Sequence, residues 1–245
     1  MDVFGLIGKE LQHSFSAQYF TERFKKTGFR GCYNLYEIEE EHYLPHFLQF
    51  ACKYLSGCNV TIPYKEAVIP YLQSLCPKAS SIGAVNCIKV KDGNLIGYNT
   101  DYIGFLKGLK TLDISHIVNK KALILGTGGA SKAVVFALNS ENWRTQLVSR
   151  KKTINTWDYQ QLIQEDISKF DLIVNTTPLG MNEWRDQAPQ LNWQQVNSKH
   201  ICYDLIYNPE KTVFLQMGEQ RGAQIINGHK MLIEQAEASW KIWKE

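Results

Sequence analysis

The chain lacks the marks of several protein classes. No run approaches the roughly 18 consecutive apolar residues that a membrane-crossing helix needs, so no membrane partner is expected. The start, MDVFGLIGKE, carries acidic Asp2 and no basic leader, unlike a secretory signal, and a cytoplasmic protein is expected. The six cysteines, Cys32, Cys52, Cys58, Cys76, Cys87 and Cys202, show no Cys-x-x-Cys spacing. Several sit among apolar neighbours, as reduced core thiols do, so neither a metal site nor a disulfide framework is implied. A strong excess of either charge is lacking too: the net charge is only +3, which argues against nucleic acid and leaves a small anionic ligand open. Internal repeats and low-complexity segments are absent. What is present is a 44% hydrophobic content over 245 residues, enough for one large core or two modest ones.

The most informative stretch is KALILGTGGAS, residues 121–131. Its apolar run 122–125 reads as a buried parallel strand, and Gly126, Gly128 and Gly129 predict a tight turn into a helix through Ala130. Glycines permit close backbone approach, and the free amides at a helix start favour an anion such as a pyrophosphate. The pattern Gly-x-Gly-Gly-Ala departs from the full dinucleotide fingerprint, and an ordinary glycine-rich turn without a ligand is the alternative. The next strand, 145–148, ends in Ser149, Arg150, Lys151 and Lys152, where an NAD site places an acidic residue. Cations there suit the 2′-phosphate of NADP, although a solvated basic loop is the plainer reading.

Along the rest of the chain, a strand over 3–7 leads to a helix over 17–26 that Ser14 or Ser16 would cap. A strand over 32–38 and a helix through His42 and Phe50, with Pro45 in its first turn, follow. A third strand over 57–62 precedes Pro63, Tyr64 and Lys65 and an expected helix over 66–75. A lysine at a helix start opposes the dipole, so a local use for Lys65 competes with plain exposure. Strands over 84–90 and 95–98 flank Asp92-Gly93, a hairpin signal. Asp101 is expected to cap a helix over 102–109, and the polar stretch 110–121 suits a domain boundary. Beyond it come a helix over 132–139, the strand 145–148, a short link through Trp157 and Leu162, strands over 171–174 and 201–205, a helix over 210–220, a strand over 224–226 and a helix over 231–243. In that last helix Leu232, Ala236, Trp240 and Trp243 share a face, with Gln235 beside it. The alternation of strands and helices predicts an α/β protein with a doubly wound parallel sheet.

Five motifs taken together, HSFS at 13–16, NVTIPYK at 59–65, GAVNCI at 83–88, GYNTD at 97–101 and GTGGAS at 126–131, resemble those of shikimate dehydrogenases. NTTPLGM at 175–181, YDLIYNPEKTVF at 203–214 and NGHKMLIEQA at 227–236 add weaker matches, so the likeness covers nearly the whole chain. The resemblance implies two domains: an α/β substrate domain over 1–101, rejoined by a C-terminal helix from about 228 to 245, and a Rossmann-like NADP-binding domain over 102–227. It implies interconversion of 3-dehydroshikimate and shikimate by NADPH. By the same resemblance Ser14 and Ser16 hold the substrate carboxylate, with Thr61 nearby. Asn86 and Asp101 meet ring hydroxyls. Lys65 is the proton donor and acceptor, oriented by Asp101, and Tyr207 and Gln235 close over the substrate. Gly126, Gly128, Gly129 and Ala130 take the pyrophosphate, and Ser149, Arg150 and Lys151 the 2′-phosphate. The sequence departs from the family pattern at Ser149, where asparagine is frequent, at Ala17 and His229, and in the link after Lys152, which looks too short for the usual helix.

This chemistry is coherent, since hydride addition to a ketone needs a proton donor at the developing oxyanion, a task Lys65 suits. Two other readings compete: an NAD-dependent quinate or shikimate dehydrogenase, and a non-catalytic metabolite-sensing domain of the same fold. A monomer and a homodimer are both compatible with the sequence.

Overall fold

The computed structural model describes residues 1–12 and 14–245, so His13 of the HSFS motif lies outside the described residues. The chain is α/β and divides into two compact units, Met1–Thr100 with Ala236–Glu245, and Asp101–Gln235. Among the described residues no helix is long and apolar enough to cross a membrane.

The first unit holds strands β1 (Asp2–Gly8), β2 (Gly31–Glu37), β3 (Gly57–Val60), β4 (Ser74–Leu75), β5 (Cys87–Lys91) and β6 (Asn94–Tyr98), and helices α1 (Phe15–Thr27), α2 (Leu44–Tyr54) and α3 (Pro77–Ile82). They form one mixed sheet in the order β2-β1-β3-β5-β6-β4, with β1 parallel to both β2 and β3 and with β5 antiparallel to β3 and β6. The alternation of side chains along a strand sorts β1 between two cores. Ile7 joins Leu44, Leu48, Val60 and Tyr64 on one face. Phe4 and Leu6 join Phe20, Phe24, Tyr33 and Trp243 on the other, where Phe4 stacks on Trp243 at 4.7 Å. Asp92 and Gly93 take φ of 51° and 71°, the left-handed pair that a two-residue hairpin between β5 and β6 requires.

The second unit contains α4 (Asp101–Leu109), β7 (Lys121–Leu125), α5 (Gly129–Ser140), β8 (Arg144–Val148), β9 (Thr156–Trp157), α6 (Tyr159–Gln164), β10 (Leu172–Asn175), β11 (Ile201–Asp204), α7 (Val213–Gln220) and β12 (Gln224–Ile226). The last helix, α8 (His229–Lys244), begins in this unit, and the division falls inside it, between Gln235 and Ala236. All six strands are parallel in the order β12-β11-β10-β7-β8-β9. Counted from β7 this is 3-2-1-4-5-6, the doubly wound dinucleotide-binding order, whose direction switches between β7 and β10. Side chains again alternate: Ala122 and Ile124 of β7 face a core with Phe105, Val134 and Tyr203, while Leu123 and Leu125 face Leu162, Ile173 and Phe214.

Several local expectations are corrected. The helix expected over 66–75 does not form; turns, a 3-10 helix Ile69–Tyr71 with Pro70 in its first turn, and β4 replace it. Pro70 cannot donate to a helical ladder, and Lys65 therefore does not stand at a helix start. The missed helix α3 follows instead, with Pro77 in its first turn and Gly83 as a left-handed cap. A 3-10 turn, Glu41–Tyr43, precedes α2, so the α-helix starts only at Leu44. The strand expected from 84 starts at Cys87, and the one expected to 62 stops at Val60. Asp101 is the first residue of α4 and lies within the helix. The link after Lys152 is not helix-free: it carries the edge strand β9 and then α6, which Asp158 caps by accepting from the Gln161 amide at 2.7 Å. Helix α7 begins at Val213 behind the cap Thr212, later than the expected 210. The polar stretch 110–121 lies inside the second unit.

Candidate active site

In the first unit the sequence singles out Ser14, Ser16, Thr61, Lys65 and Asn86, and Asn86 is held in a buried polar relay. Ser14 caps α1, its Oγ accepting from the Ser16 amide at 3.2 Å, while its own amide donates to Leu11 O at 2.9 Å. Burial pushes the Tyr33 hydroxyl well up, and the neighbouring Ser16 side chain pulls it part of the way back. Tyr33 Oη donates to Asn59 Oδ1 at 2.9 Å, and Asn59 Nδ2 donates to the Asn86 carbonyl at 3.1 Å and to Ser239 Oγ at 2.9 Å. Ser239 and Thr100 share a hydroxyl contact at 3.1 Å, and Asn86 Nδ2 donates to Thr100 Oγ1 at 2.9 Å while its Oδ1 accepts from the Thr100 amide at 2.6 Å. The relay thus runs from Tyr33 on β2 through Asn59 on β3 to the segment just before α4. Its buried groups are held because leaving one unmade costs about 1–3 kcal/mol.

Lys65 is fixed through its backbone. Tyr64 is buried in the core and its Oη donates to Ile38 O at 2.5 Å. The Lys65 carbonyl accepts from the Val85 amide at 2.7 Å, one residue before Asn86. The half-buried Lys65 and the buried Asn86 therefore sit on neighbouring segments. Thr61 is half-buried; its amide donates to Ile7 O and its carbonyl accepts from the Tyr64 amide, both at 2.9 Å. The peptide between Ile62 and Pro63 is cis.

In the second unit Asp101 is buried at the start of α4, and Gln235 is half-buried on α8 with Nε2 donating to Leu232 O at 3.0 Å. These helices touch at Gly104, where an added Cβ would lie 2.4 Å from Met231 O and 3.1 Å from Gln235 Cβ. Gly104 is three residues from Asp101 and so shares its face, which brings Asp101 and Gln235 to one side of the helix pair. Tyr207 is half-buried, three residues past the end of β11.

The glycine turn fits a pyrophosphate. Gly126 has φ of 118°, and a Cβ there would stand 2.4 Å from Thr176 Oγ1. Thr176 seals the turn, with its Oγ1 at 2.7 Å and its amide at 2.9 Å both donating to Leu125 O. Gly128 caps α5 without any side-chain hydrogen bond, and a Cβ on it would meet nothing within 4 Å. The helix therefore offers its first-turn amides to an open face, with half-buried Gly129 and Ala130 in that turn. At the end of β8 the Ser149 amide donates to Trp157 O at 2.8 Å, and Ser149 Oγ accepts from the Lys151 amide. Arg150, Lys151 and Lys152 are exposed, available to a phosphate at the edge of the sheet.

Sequence reasoning missed Tyr33, Thr100 and Ser239, and met Asn59 only as the first residue of the NVTIPYK motif. Ser239 had a local signal: a small polar residue three positions after Ala236 and four before Trp243, in a helix otherwise apolar on that side. Asn175 and Asp204, which end β10 and β11, and Thr176 and Thr212 beyond them were met only inside the two weaker motifs. Among the described residues no cluster of three metal-binding side chains occurs.

Residues 6–88 match the family model of the shikimate dehydrogenase substrate binding domain. A shikimate dehydrogenase (NADP(+)) of Clostridium beijerinckii is 39% identical, over 100% of this chain and 93% of that protein. The crystal structure of shikimate dehydrogenase 1 from Peptoclostridium difficile is 37% identical with a TM-score of 0.88, covering 100% of this chain and 92% of that one. The Thermus thermophilus shikimate 5-dehydrogenase, solved in complex with NADP(H) and shikimate, is 30% identical with a TM-score of 0.88, covering 99% and 93%.

Proposed function

The chain belongs to the shikimate dehydrogenase family, and on that premise we propose that it interconverts 3-dehydroshikimate and shikimate with NADP(H), with Lys65 exchanging the proton. The observation that carries the residue assignment is the seating of Lys65 beside Asn86, through the 2.7 Å bond from the Val85 amide to the Lys65 carbonyl. That bond fixes a cationic donor and an amide on adjoining segments, as recognition of a keto group next to a ring hydroxyl demands.

Bound NADPH supplies the hydride. The chain's own residues do the rest. Lys65 donates a proton to the oxygen that gains negative charge as the ketone is reduced, and takes it back in the oxidative direction. Asp101, the only buried carboxylate among the site candidates, orients that ammonium and accepts from a ring hydroxyl. Ser14 and Ser16 offer hydroxyls to the substrate carboxylate at the start of α1, where the helix dipole also favours an anion. Thr61 contributes beside that carboxylate, Asn86 holds a ring hydroxyl, and Tyr207 and Gln235 cover the substrate. The open first turn of α5 binds the pyrophosphate. Arg150 and Lys151, beside Ser149, pair with the 2′-phosphate, which sets NADPH above NADH.

The test is a spectrophotometric assay of NADPH loss with 3-dehydroshikimate, repeated with NADH, with dehydroquinate and with Lys65→Ala. Rapid NADPH oxidation that collapses in the variant supports the assignment. Equal use of NADH, or a preference for dehydroquinate, replaces it with the quinate reading. Shikimate binding without turnover replaces it with a metabolite sensor.

A further inference from the structure

Asp204 ends β11 with no accessible surface, and the donors that hold it are neutral. Its two oxygens are used by three donors. Oδ1 accepts from Asn175 Nδ2 at 3.1 Å and from the Ile206 amide at 3.0 Å, and Oδ2 accepts from Thr212 Oγ1 at 2.6 Å. Asn175 ends β10, and it passes the constraint on: its Nδ2 also donates to Leu179 O at 3.1 Å, and its Oδ1 accepts from the Thr177 amide at 3.0 Å and Thr177 Oγ1 at 2.7 Å. One carboxylate therefore fixes both the loop 176–180 and the turn 205–207.

Both segments leave the C-terminal ends of adjacent parallel strands, the edge at which doubly wound sheets present their ligands. The loop 176–180 also starts directly on the glycine turn, since Thr176 bonds Leu125 O twice and fills the space a Cβ on Gly126 would need. A displacement of this loop is thus a displacement of the cradle wall. No part of the proton-exchange site in the first unit takes part in the network.

We propose that Asp204 is a positioning residue for the cofactor, acting through Asn175 and the Ile206 amide to set the two loops that flank the glycine turn. It touches neither substrate nor cofactor. The proposal rests on the NADP(H) reading for its choice of ligand, whereas the network itself is a property of the cofactor-free chain.

Two variants separate the roles. Asp204→Ala removes all three acceptor contacts; Asp204→Asn keeps Oδ1 for Asn175 and Ile206 and turns the Thr212 hydroxyl into an acceptor. In hydrogen–deuterium exchange on the cofactor-free protein, the Thr177 and Ile206 amides should lose protection in the alanine variant and keep it in the asparagine variant. NADPH affinity, read by its fluorescence on binding, should weaken about tenfold in Asp204→Ala and recover to within about threefold in Asp204→Asn, with the KM for shikimate changed less than about twofold. An Asp204→Ala, Asn175→Ala double variant should bind NADPH no more weakly than the worse single one, because both cut the same relay. Thr177→Val cuts the relay at its half-buried far end and should weaken NADPH binding about threefold, which keeps the test open if the alanine variants fail to fold. Unchanged NADPH affinity in Thr177→Val or in folded Asp204→Ala, equal losses for cofactor and substrate, or additive effects in the double variant would overturn the proposal. Wild-type protein that bound no NADPH would remove the NADP(H) reading instead, and the exchange pattern would still report on the network.

Discussion

The same carboxylate makes a quantitative prediction about stability. Burial lifts the Asp204 carboxyl from its ordinary 3.8 to about 6, outweighing the hydrogen bonds from Thr212, Ile206 and Asn175 that pull it down. In the unfolded chain the group returns to its ordinary value. Between those two values the folded protein binds more protons than the unfolded one, so stability falls as pH rises through the window and levels off above about 6. At about 1.4 kcal/mol per pH unit the displacement amounts to about 3 kcal/mol, of which about 2 kcal/mol falls between about pH 4.5 and 7.5. Asp204→Asn removes this titration while keeping the contacts of Oδ1. Urea denaturation of both proteins, stepped across that range, should therefore show the variant gaining about 2 kcal/mol on the wild type from the acid to the neutral end. Asp113, Asp166 and Glu234 have carboxyls held below their ordinary values by hydrogen bonds, chiefly from Ser115, Ser168 and Lys107, and tilt stability the other way. They are common to both proteins and cancel in the difference. A difference between the two proteins that stays flat with pH would refute the reasoning, because it would mean Asp204 titrates alike in the folded and unfolded chains.

Other perturbations follow from the same structure. Lys65→Ala should lower kcat by about 10²–10⁴ with little change in the KM for 3-dehydroshikimate, measured at saturating NADPH. Arg150→Ala should raise the KM for NADPH about tenfold or more and leave that for NADH unchanged, since only the former carries the 2′-phosphate. Gly126→Ala places a methyl 2.4 Å from Thr176 Oγ1 at a φ of 118°; calorimetric titration should show loss of NADPH binding, and thermal melts a cost of about 1–3 kcal/mol. Tyr33→Phe withdraws the donor from buried Asn59 and should cost about 1–3 kcal/mol in denaturant titrations.

Much of the fold was legible because its signals are local. The apolar runs of β7, β10 and β11 mark strands buried on both faces, Asp92-Gly93 fixes its hairpin through backbone freedom, and Gly126 to Gly129 mark a turn that other residues would strain. The failures were also local in origin. Apolar residues over 66–75 repeat at near-helical spacing, yet Pro70 and the pairing of β4 with β6 override that period. Helix α6 was missed because the Thr- and Asn-rich link drew attention from Asp158, whose side chain caps it. The relay from Tyr33 to Asn86 was illegible for another reason: Asn59 and Ser239 are 180 positions apart, and nothing within either segment encodes the partner.

What seats the candidate residues in each unit is a buried asparagine used in both senses. Asn59 accepts from Tyr33 and donates to the Asn86 carbonyl and Ser239. Asn175 accepts twice from Thr177 and donates to Asp204 and the Leu179 carbonyl. An amide with donors on one side and acceptors on the other cannot turn over without breaking bonds at both ends, and each unmade bond in a buried place costs about 1–3 kcal/mol. Aspartate would set a carboxylate against a backbone carbonyl at either position, and at 175 against a second carboxylate as well. Serine is too short to span the gap between strands. The amide thus converts packing, which tolerates small slips, into a fixed register between segments distant in sequence. A hydride transfer needs that register, because the reacting groups must be held within a fraction of an ångström while neither asparagine side chain has to meet the substrate.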